Sequence, residues 1–497
     1  MTRTDTEAPG APDRPAVLRG RGAARAVRWS TLSVVGRQGA QILFAVVVAR
    51  MIGPDAYGAI GAATVLVTLA ALLLDQGLAA ALVQRPELPD GAPGAAATVN
   101  LAASAVLAVV VVTVAGPLAA FFHTPALAGM LCVLGPGLLV KAAAIAPRAM
   151  LMRRVALTAV ARIEIVAAVV GAAAGIAVAL AGAGPVAFVV MTLVVDTIVA
   201  VALLAVDGGP VPNLRLRAFR PLLGFGGRVF VTNAVAYASR NTDTILVGRF
   251  LGAAALAQYS MAYRVLVLPV QFLGQAVNRV LFPVLSRAQG DRSVLAAEVE
   301  RATALLAVLT IPPMALIAAA APQLVAIVLG GRWTAAEPLM TVLAIAGARE
   351  TVFYLTPVLM RAVGRAALGL RFQLVSTLVQ VGGIVAGLPF GMLGVAVGYT
   401  VAGFLLVPAL LLLQHRLGGV SVRRQLAAIW PPLHAALWAS AAYVLLSLVL
   451  PGPLVTLLVG GAVAVAVLVI VLALVHPAAA RVALRRVGAV LGRGGAA

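Results

Sequence analysis

Charge is scarce in this sequence. Only 11% of its 497 residues are Asp, Glu, Lys or Arg, 62% are hydrophobic, and the mean hydropathy is +1.06. Such a composition lies outside the range of soluble globular domains, so lipid and not water must be its main solvent. Cysteine is down to one, Cys132, which excludes a disulfide framework and every multi-cysteine metal or redox centre. Set in an apolar run, Cys132 reads as a small core residue. Lysine is also reduced to a single residue, Lys141. The four histidines, His123, His415, His434 and His476, are scattered at loop or helix ends. They lack metal-ligand spacing and no Ser or Cys nucleophile motif accompanies them, so neither catalysis nor a metal or cofactor is indicated.

What the chain has instead is long apolar runs. A crossing helix needs about 20 such residues. Fourteen stretches qualify, near 29–51, 55–82, 94–115, 126–147, 157–181, 185–206, 221–248, 254–285, 302–321, 336–360, 371–389, 391–414, 428–450 and 453–475. The first of them, from Trp29, is too long for a signal-peptide h-region and has no small-residue cleavage site after it, so it reads as a span that stays. The polar, Pro-rich start of the chain, within 1–27, reads as a disordered cytoplasmic tail. Residues 477–497 read as a basic amphipathic tail on the membrane surface, with Arg481 and Arg485 beside Val482, Leu484 and Val487.

The net charge of +21 is mostly topology. With the N-terminus inside, the inner segments collect clusters such as Arg14 to Arg28, Arg148 to Arg154, Arg215 to Arg220, Arg287 to Arg301, Arg361 to Arg371, Arg416 to Arg424 and Arg481 to Arg493. The outer segments hold only Arg50, Arg249 and Arg332. This is the positive-inside asymmetry of an even number of spans with both ends in the cytoplasm. Nucleic acid would want basic residues interleaved with exposed aromatics in a polar domain, and no such domain exists here.

An internal repeat organises the spans. The segment from Val46, VVVARMIGPDAYGAIGAAT, aligns without gaps on ILVGRFLGAAALAQYSMAY from Ile245, matching Arg50 with Arg249 and Gly53 with Gly252. Arg followed by Gly is good helix-ending chemistry, a cation on the dipole and a left-handed glycine cap. A weaker pair, starting at Ala161 and Arg371, shares the order helix, Gly/Pro turn, helix. The expected fold is therefore an all-α integral membrane protein of about fourteen transmembrane helices. Two six-helix lobes, 28–206 and 207–414, would be related by a pseudo-two-fold along the membrane normal, with two extra C-terminal helices at 415–476 and a cavity between the lobes. Small-residue spacings such as Gly171–Gly175 and Gly383–Gly387–Gly391 would serve close helix packing.

A charge at the bilayer centre costs about 2.5–3.5 kcal/mol on insertion scales, so charges within spans should face a wet cavity or a partner. Ser30, Ser33, Arg37 and Gln41 share one helical face, as do Asn233, Tyr237, Arg240 and Thr244. Arg264, Gln271, Gln275 and Asn278 form a stripe with Arg279 beside it, and Thr64, Thr68 and Asp75 a thinner one. These four stripes occupy equivalent positions in the two repeats and would wall the cavity. Further charges are Lys141 with Arg148 at i,i+7, Asp196, Asp243, Arg228, and Arg349 with Glu350. The bland reading of each is a snorkelling side chain or a structural ion pair. The functional reading takes Arg37, Gln41, Lys141, Arg240, Arg264, Gln271, Gln275 and Arg279 as diphosphate-binding, because guanidinium forks match phosphate oxygens. Asp75, Asp196, Asp243 and Glu350 would then be coupling or cavity acids.

The stretches LLLDQGLAAALVQRPEL from Leu72, Asn241 to Asp291, and LGGRWTAAEPLMTVLAIAG from Leu329 resemble the bacterial polysaccharide transporter family. These are Wzx-type lipid-linked oligosaccharide flippases of the multidrug/oligosaccharidyl-lipid/polysaccharide exporter superfamily. The resemblance covers about 28–414 and implies a V-shaped cavity between lobes and alternating access. It also implies undecaprenyl-diphosphate-linked glycan as substrate, with membrane lipids, a glycan polymerase and glycosyltransferases of the same pathway as partners. It points to Asp75, Asp243, Arg249, Arg264, Arg279 and Arg287, while Gln76 stands where the family often has an aromatic. Two rivals share the superfamily, a cation-coupled multidrug exporter and a lipid II flippase. A membrane enzyme would need a large outer loop, and every outer loop here is short.

Overall fold

In the computed structural model, residues 21–75, 82–83, 87–154, 156–207 and 209–477 are described. Every regular element among them is helical. The chain forms two compact units, Met1–Asn241 and Thr242–Ala497. Among the described residues, eleven helical stretches are long and apolar enough to cross a bilayer. Two of these, Gly36–Leu74 with 39 residues and Ala367–Gly418 with 52, far exceed the roughly 20 residues one crossing needs. Each is broken inside, at Gly53 and at the short 3-10 turn Leu388–Phe390.

The breaks at Gly53 (φ 75°, ψ 174°) and Gly252 (φ 86°, ψ 179°) have the same backbone conformation, as the repeat requires. Val48 and Val247, matched in the repeat, are both fully buried. The conformation itself differs from the left-handed cap expected. With ψ near 180° the glycine lies in the mirror-extended region, which side-chain-bearing residues reach only under strain. The reason is local: a new helix starts at once, with Pro54 already preset for a first turn, so no non-helical residues follow to close a cap.

In the N-terminal unit, Leu157–Leu180 packs on Val186–Asp207 and on Arg21–Asp75, and Ala92–Thr113 packs on Ala126–Arg153. Gly171 allows the first contact, where a Cβ would fall 2.3 Å from Val195, and Gly175 serves both, where a Cβ would fall 2.9 Å from the Ala187 carbonyl and 2.5 Å from Phe44. In the C-terminal unit the equivalent pair, Ala366–Gly387 and Gly391–Leu405, meets backbone to backbone. A Cβ on Gly383 would lie 2.4 Å from the Gly398 carbonyl, and one on Gly387 2.1 Å from that of Gly394. Gly391 is not part of this contact; with φ 72° it starts a helix.

Leu285, Leu295, Leu355, Leu359 and Val420 share one buried cluster. It draws the turn at Asp291, the end at Ala362 and the turn at Gly419 to one end of the C-terminal unit. Arg287, Arg292, Arg361, Arg365, Arg416, Arg423 and Arg424 therefore share that end. Asp291 and Ser421 cap helices there, accepting from backbone N–H groups. Of the last two long helices, Val422–Ser447 packs on Arg292–Ala319, while Pro453–Val475 is mostly uncovered, with only 11% of its most apolar window buried.

Two local expectations are corrected. Helix begins at Arg21, inside the stretch read as a disordered tail, because RGAARAVR is rich in good helix formers. Cys132 is exposed and not in the core, its helix turning that face outward with Val133. Residues 1–20 and the tail from 478 lie outside the described residues.

Candidate functional site

Three cations of the N-terminal unit, Arg37, Lys141 and Arg148, converge on two carboxylates. Ala126–Arg153 carries Lys141 and Arg148 two turns apart. Lys141 Nζ lies 3.2 Å from Asp196 on Val186–Asp207. Arg148 hydrogen-bonds and pairs with Glu164 on Leu157–Leu180. Arg37, from the first helix, also reaches Glu164, at 3.8 Å. The acids are 12% and 15% exposed, while the cations keep 27–41%. Two guanidinium groups thus share one carboxylate, and the cluster retains net positive charge. Gln41 is exposed.

The C-terminal unit handles its acids differently. Asp243, 3% exposed, accepts from the Tyr259 hydroxyl at 3.0 Å and from the Thr244 amide at 2.7 Å. Tyr259 stacks on Tyr263, whose ring meets Tyr399 edge-on. Tyr399 donates to Glu350 Oε2 at 3.0 Å. The two acids are joined by aromatic rings and capped by hydroxyls. No cation lies within ion-pair distance of either among the described residues.

Arg349, adjacent to Glu350, turns away. It is 7% exposed and donates through Nη1 to the Gly403 carbonyl at 3.0 Å, with Nε and Nη2 unsatisfied. Gly403 sits where Pro408 interrupts the helix ladder, and a Cβ there would lie 2.5 Å from the guanidinium carbon. Arg349 therefore fastens a kink.

Arg264 lies half-buried on the helix that follows the break at Gly252. Among the described residues it has no hydrogen bond or ion pair. Gln271 is exposed and has a partner. The side chains of Asp75, Arg228, Arg240, Gln275 and Arg279 fall outside the described residues. A cavity of about 690 Å³ lies between Ala366–Gly387 and Gly391–Leu405, lined by Gly382, Ala386, Phe390, Val397 and Leu405 among others. It offers no charge and suits hydrocarbon, not a head group.

Sequence reasoning passed over Glu164 and the hydroxyl partners of Asp243 and Glu350. Glu164 was visible as the one acid of an apolar run, which must find a cation. The tyrosines gave no comparable signal, since their spacing is as good for core packing.

Residues 47–338 match the family described as polysaccharide biosynthesis protein. The chain is 25% identical over 439 residues to the lipopolysaccharide biosynthesis protein WzxC of Escherichia coli K12, covering 86% of this chain and 88% of that one. It is 24% identical over 364 residues to the succinoglycan biosynthesis transport protein ExoT of Rhizobium meliloti 1021, covering 73% and 74%. Among solved structures it resembles the lipid II flippase MurJ in an inward closed conformation, with TM-score 0.74 and 14% identity over 91% of this chain and 98% of that one. That likeness shows a shared fold.

Proposed function

Because the chain belongs to the polysaccharide biosynthesis protein family, we propose that it is a membrane flippase that carries a lipid-linked oligosaccharide to the outer leaflet for cell-surface glycan synthesis. The WzxC and ExoT relatives, named for lipopolysaccharide biosynthesis and succinoglycan transport, support that class. The protein acts by transport and not by catalysis, in the cytoplasmic membrane with both ends in the cytoplasm. The glycosyltransferases and polymerase of the same pathway are its functional neighbours.

One observation carries the substrate's chemistry. Arg264 is a half-buried guanidinium within an apolar span, with no acid beside it among the described residues. Unpaired charge in a span costs about 2.5–3.5 kcal/mol on insertion scales. A diphosphate offsets that with paired, charge-assisted hydrogen bonds. Arg37, with Arg148 on the single carboxylate of Glu164, contributes net positive charge; Lys141 is held in reserve by Asp196. Gln41, Arg240, Gln271, Gln275 and Arg279 complete the polar stripes. Asp243 and Glu350, held by hydroxyls and not by cations, act as coupling acids that take up a proton or cation during the cycle, with Asp75 and Asp196 as secondary candidates. An exporter of cationic drugs would instead expose its acids to the ligand.

Depletion of the protein should make lipid-linked glycan accumulate on the inner leaflet. Arg264→Ala should reproduce this at normal protein level, with surface glycan reduced several-fold. Unchanged surface glycan on depletion would refute the flippase reading.

A further inference from the structure

At the basic end of the C-terminal unit, three side chains form a hydrogen-bonded group. Arg361, the exposed residue near the end of Leu355–Ala362, donates from Nη2 to Asn278 Oδ1 at 2.6 Å and from Nε to the Pro357 carbonyl at 3.4 Å. Asn278 Nδ2 donates onward to the Tyr354 hydroxyl at 3.1 Å. Tyr354 stands at the break between Ala336–Phe353 and Leu355–Ala362. Its ring lies directly on Gly274, where a Cβ would be 2.9 Å from Cζ.

The direction of these bonds is determined by chemistry. Arginine has no acceptor, so Arg361 forces the carboxamide oxygen of Asn278 toward itself. The amide nitrogen then faces Tyr354, which must accept. The hydroxyl proton of Tyr354 is left without an acceptor among the described residues, and so is the Nη1 edge of Arg361. The cluster is thus left with two unused donors, the Tyr354 hydroxyl and the Nη1 edge of the exposed Arg361. No carboxylate lies within ion-pair distance of Arg361 among the described residues, in contrast to Arg301, which Glu298 meets at 2.6 Å. A planar fork and a hydroxyl presenting hydrogens beside uncompensated charge match the oxygens of a phosphate.

Asn278 lies on the same polar face as Arg264, about 21 Å further along the helix at about 1.5 Å per residue. The stripe therefore runs from the basic end of the unit to mid-span. We propose that Arg361, Asn278 and Tyr354 form an anion station that receives the diphosphate of the lipid-linked substrate at this end, before the head group reaches Arg264. The proposal rests on the flippase reading.

The test uses the full-length protein in phosphatidylcholine nanodiscs, with undecaprenyl diphosphate as the probe and undecaprenol as the uncharged control. Asn278→Asp keeps the size of the side chain but turns the Arg361 contact into an ion pair and draws the Tyr354 proton inward. Arg361→Gln removes the charge. Each variant should bind undecaprenyl diphosphate at least tenfold more weakly than wild type, with unchanged thermal stability. Wild-type affinity should hold when phosphatidylglycerol replaces part of the phosphatidylcholine. Wild-type binding abolished by phosphatidylglycerol would make the ligand a bilayer head group and overturn the proposal. So would wild-type affinity in folded Asn278→Asp, which decides alone if Arg361→Gln does not fold. A wild type that cannot distinguish the diphosphate from the alcohol would refute the flippase reading itself, a separate outcome.

Discussion

Replacing Glu164 by Gln keeps the volume of the side chain and an acceptor oxygen, but leaves Arg37 and Arg148 with no negative charge. The attraction across the 3.8 Å contact with Arg37 is about 4 kcal/mol gross at an effective dielectric constant of about 20. The guanidinium groups are 40% and 41% exposed, so water recovers much of it. The net destabilisation should be about 1–3 kcal/mol, between that of an exposed pair and that of a broken buried one. A double-mutant cycle isolates the cause. Adding Arg37→Gln to Glu164→Gln removes one of two crowded cations and should restore about 1 kcal/mol, because contacting residues are non-additive. The assay is denaturant or thermal unfolding of the purified protein in detergent, at low and high salt. Salt should soften the single mutant's defect, since it screens guanidinium repulsion. A double mutant as unstable as the sum of the two singles would show that the three residues do not act as one charge cluster.

Gly398→Ala places a methyl 2.0 Å from the Gly383 carbonyl. The facing helices must separate, which should cost about 1–3 kcal/mol; an unchanged unfolding midpoint would contradict the backbone contact. Asp243→Asn keeps an acceptor for Tyr259 but cannot take a proton, so glycan export should lose its dependence on the membrane ion gradient at normal protein level. Export that still follows the gradient would remove Asp243 from coupling. The Ser293 hydroxyl, with the amides of Val294 and Ser293, holds the exposed Asp291 carboxyl below its ordinary value of 3.8. A lowered folded-state pKa gives stability that is present above the unfolded value and lost as pH falls through the folded one. Protection of the Ser293 and Val294 amides, relative to the free peptide at the same pH, should therefore fall as pH drops below the ordinary carboxyl value of 3.8, and Asp291→Asn should abolish that pH dependence.

The helical, membrane-spanning character was legible because a bilayer imposes one length and one composition on every crossing; among the described residues eleven long apolar stretches stand where fourteen crossings were expected. The twin breaks were legible for a related reason: Gly53 and Gly252 occupy backbone states that no other residue tolerates cheaply, so the repeat had to keep them. Pairing was harder. Lys141 and Arg148 share a face of one helix, yet their partners sit on two different helices, and only packing decides which acid each meets. The tyrosine caps on Asp243 and Glu350 were hidden because a hydroxyl in an apolar run looks like core. Arg361 read as one topological arginine among many; its role depends on Asn278 and Tyr354, remote in sequence.

These pairings order the candidate cations by what a ligand must displace. An anion approaching Lys141 competes with Asp196 at 3.2 Å, and one approaching Arg37 competes with Glu164 at 3.8 Å. At Arg264 and Arg361 it displaces no carboxylate among the described residues, only water or a carboxamide. Affinity for a diphosphate should therefore concentrate on Arg264 and Arg361. Lys141 becomes available only when Asp196 is neutralised, as protonation or Asp196→Asn would do. Apart from Arg349, tied to a backbone carbonyl, these candidate cations fall into two kinds, one locked by an acid and one open. An acid that can be neutralised converts the first kind into the second, which is the property a transporter needs if binding is to strengthen and weaken within one cycle.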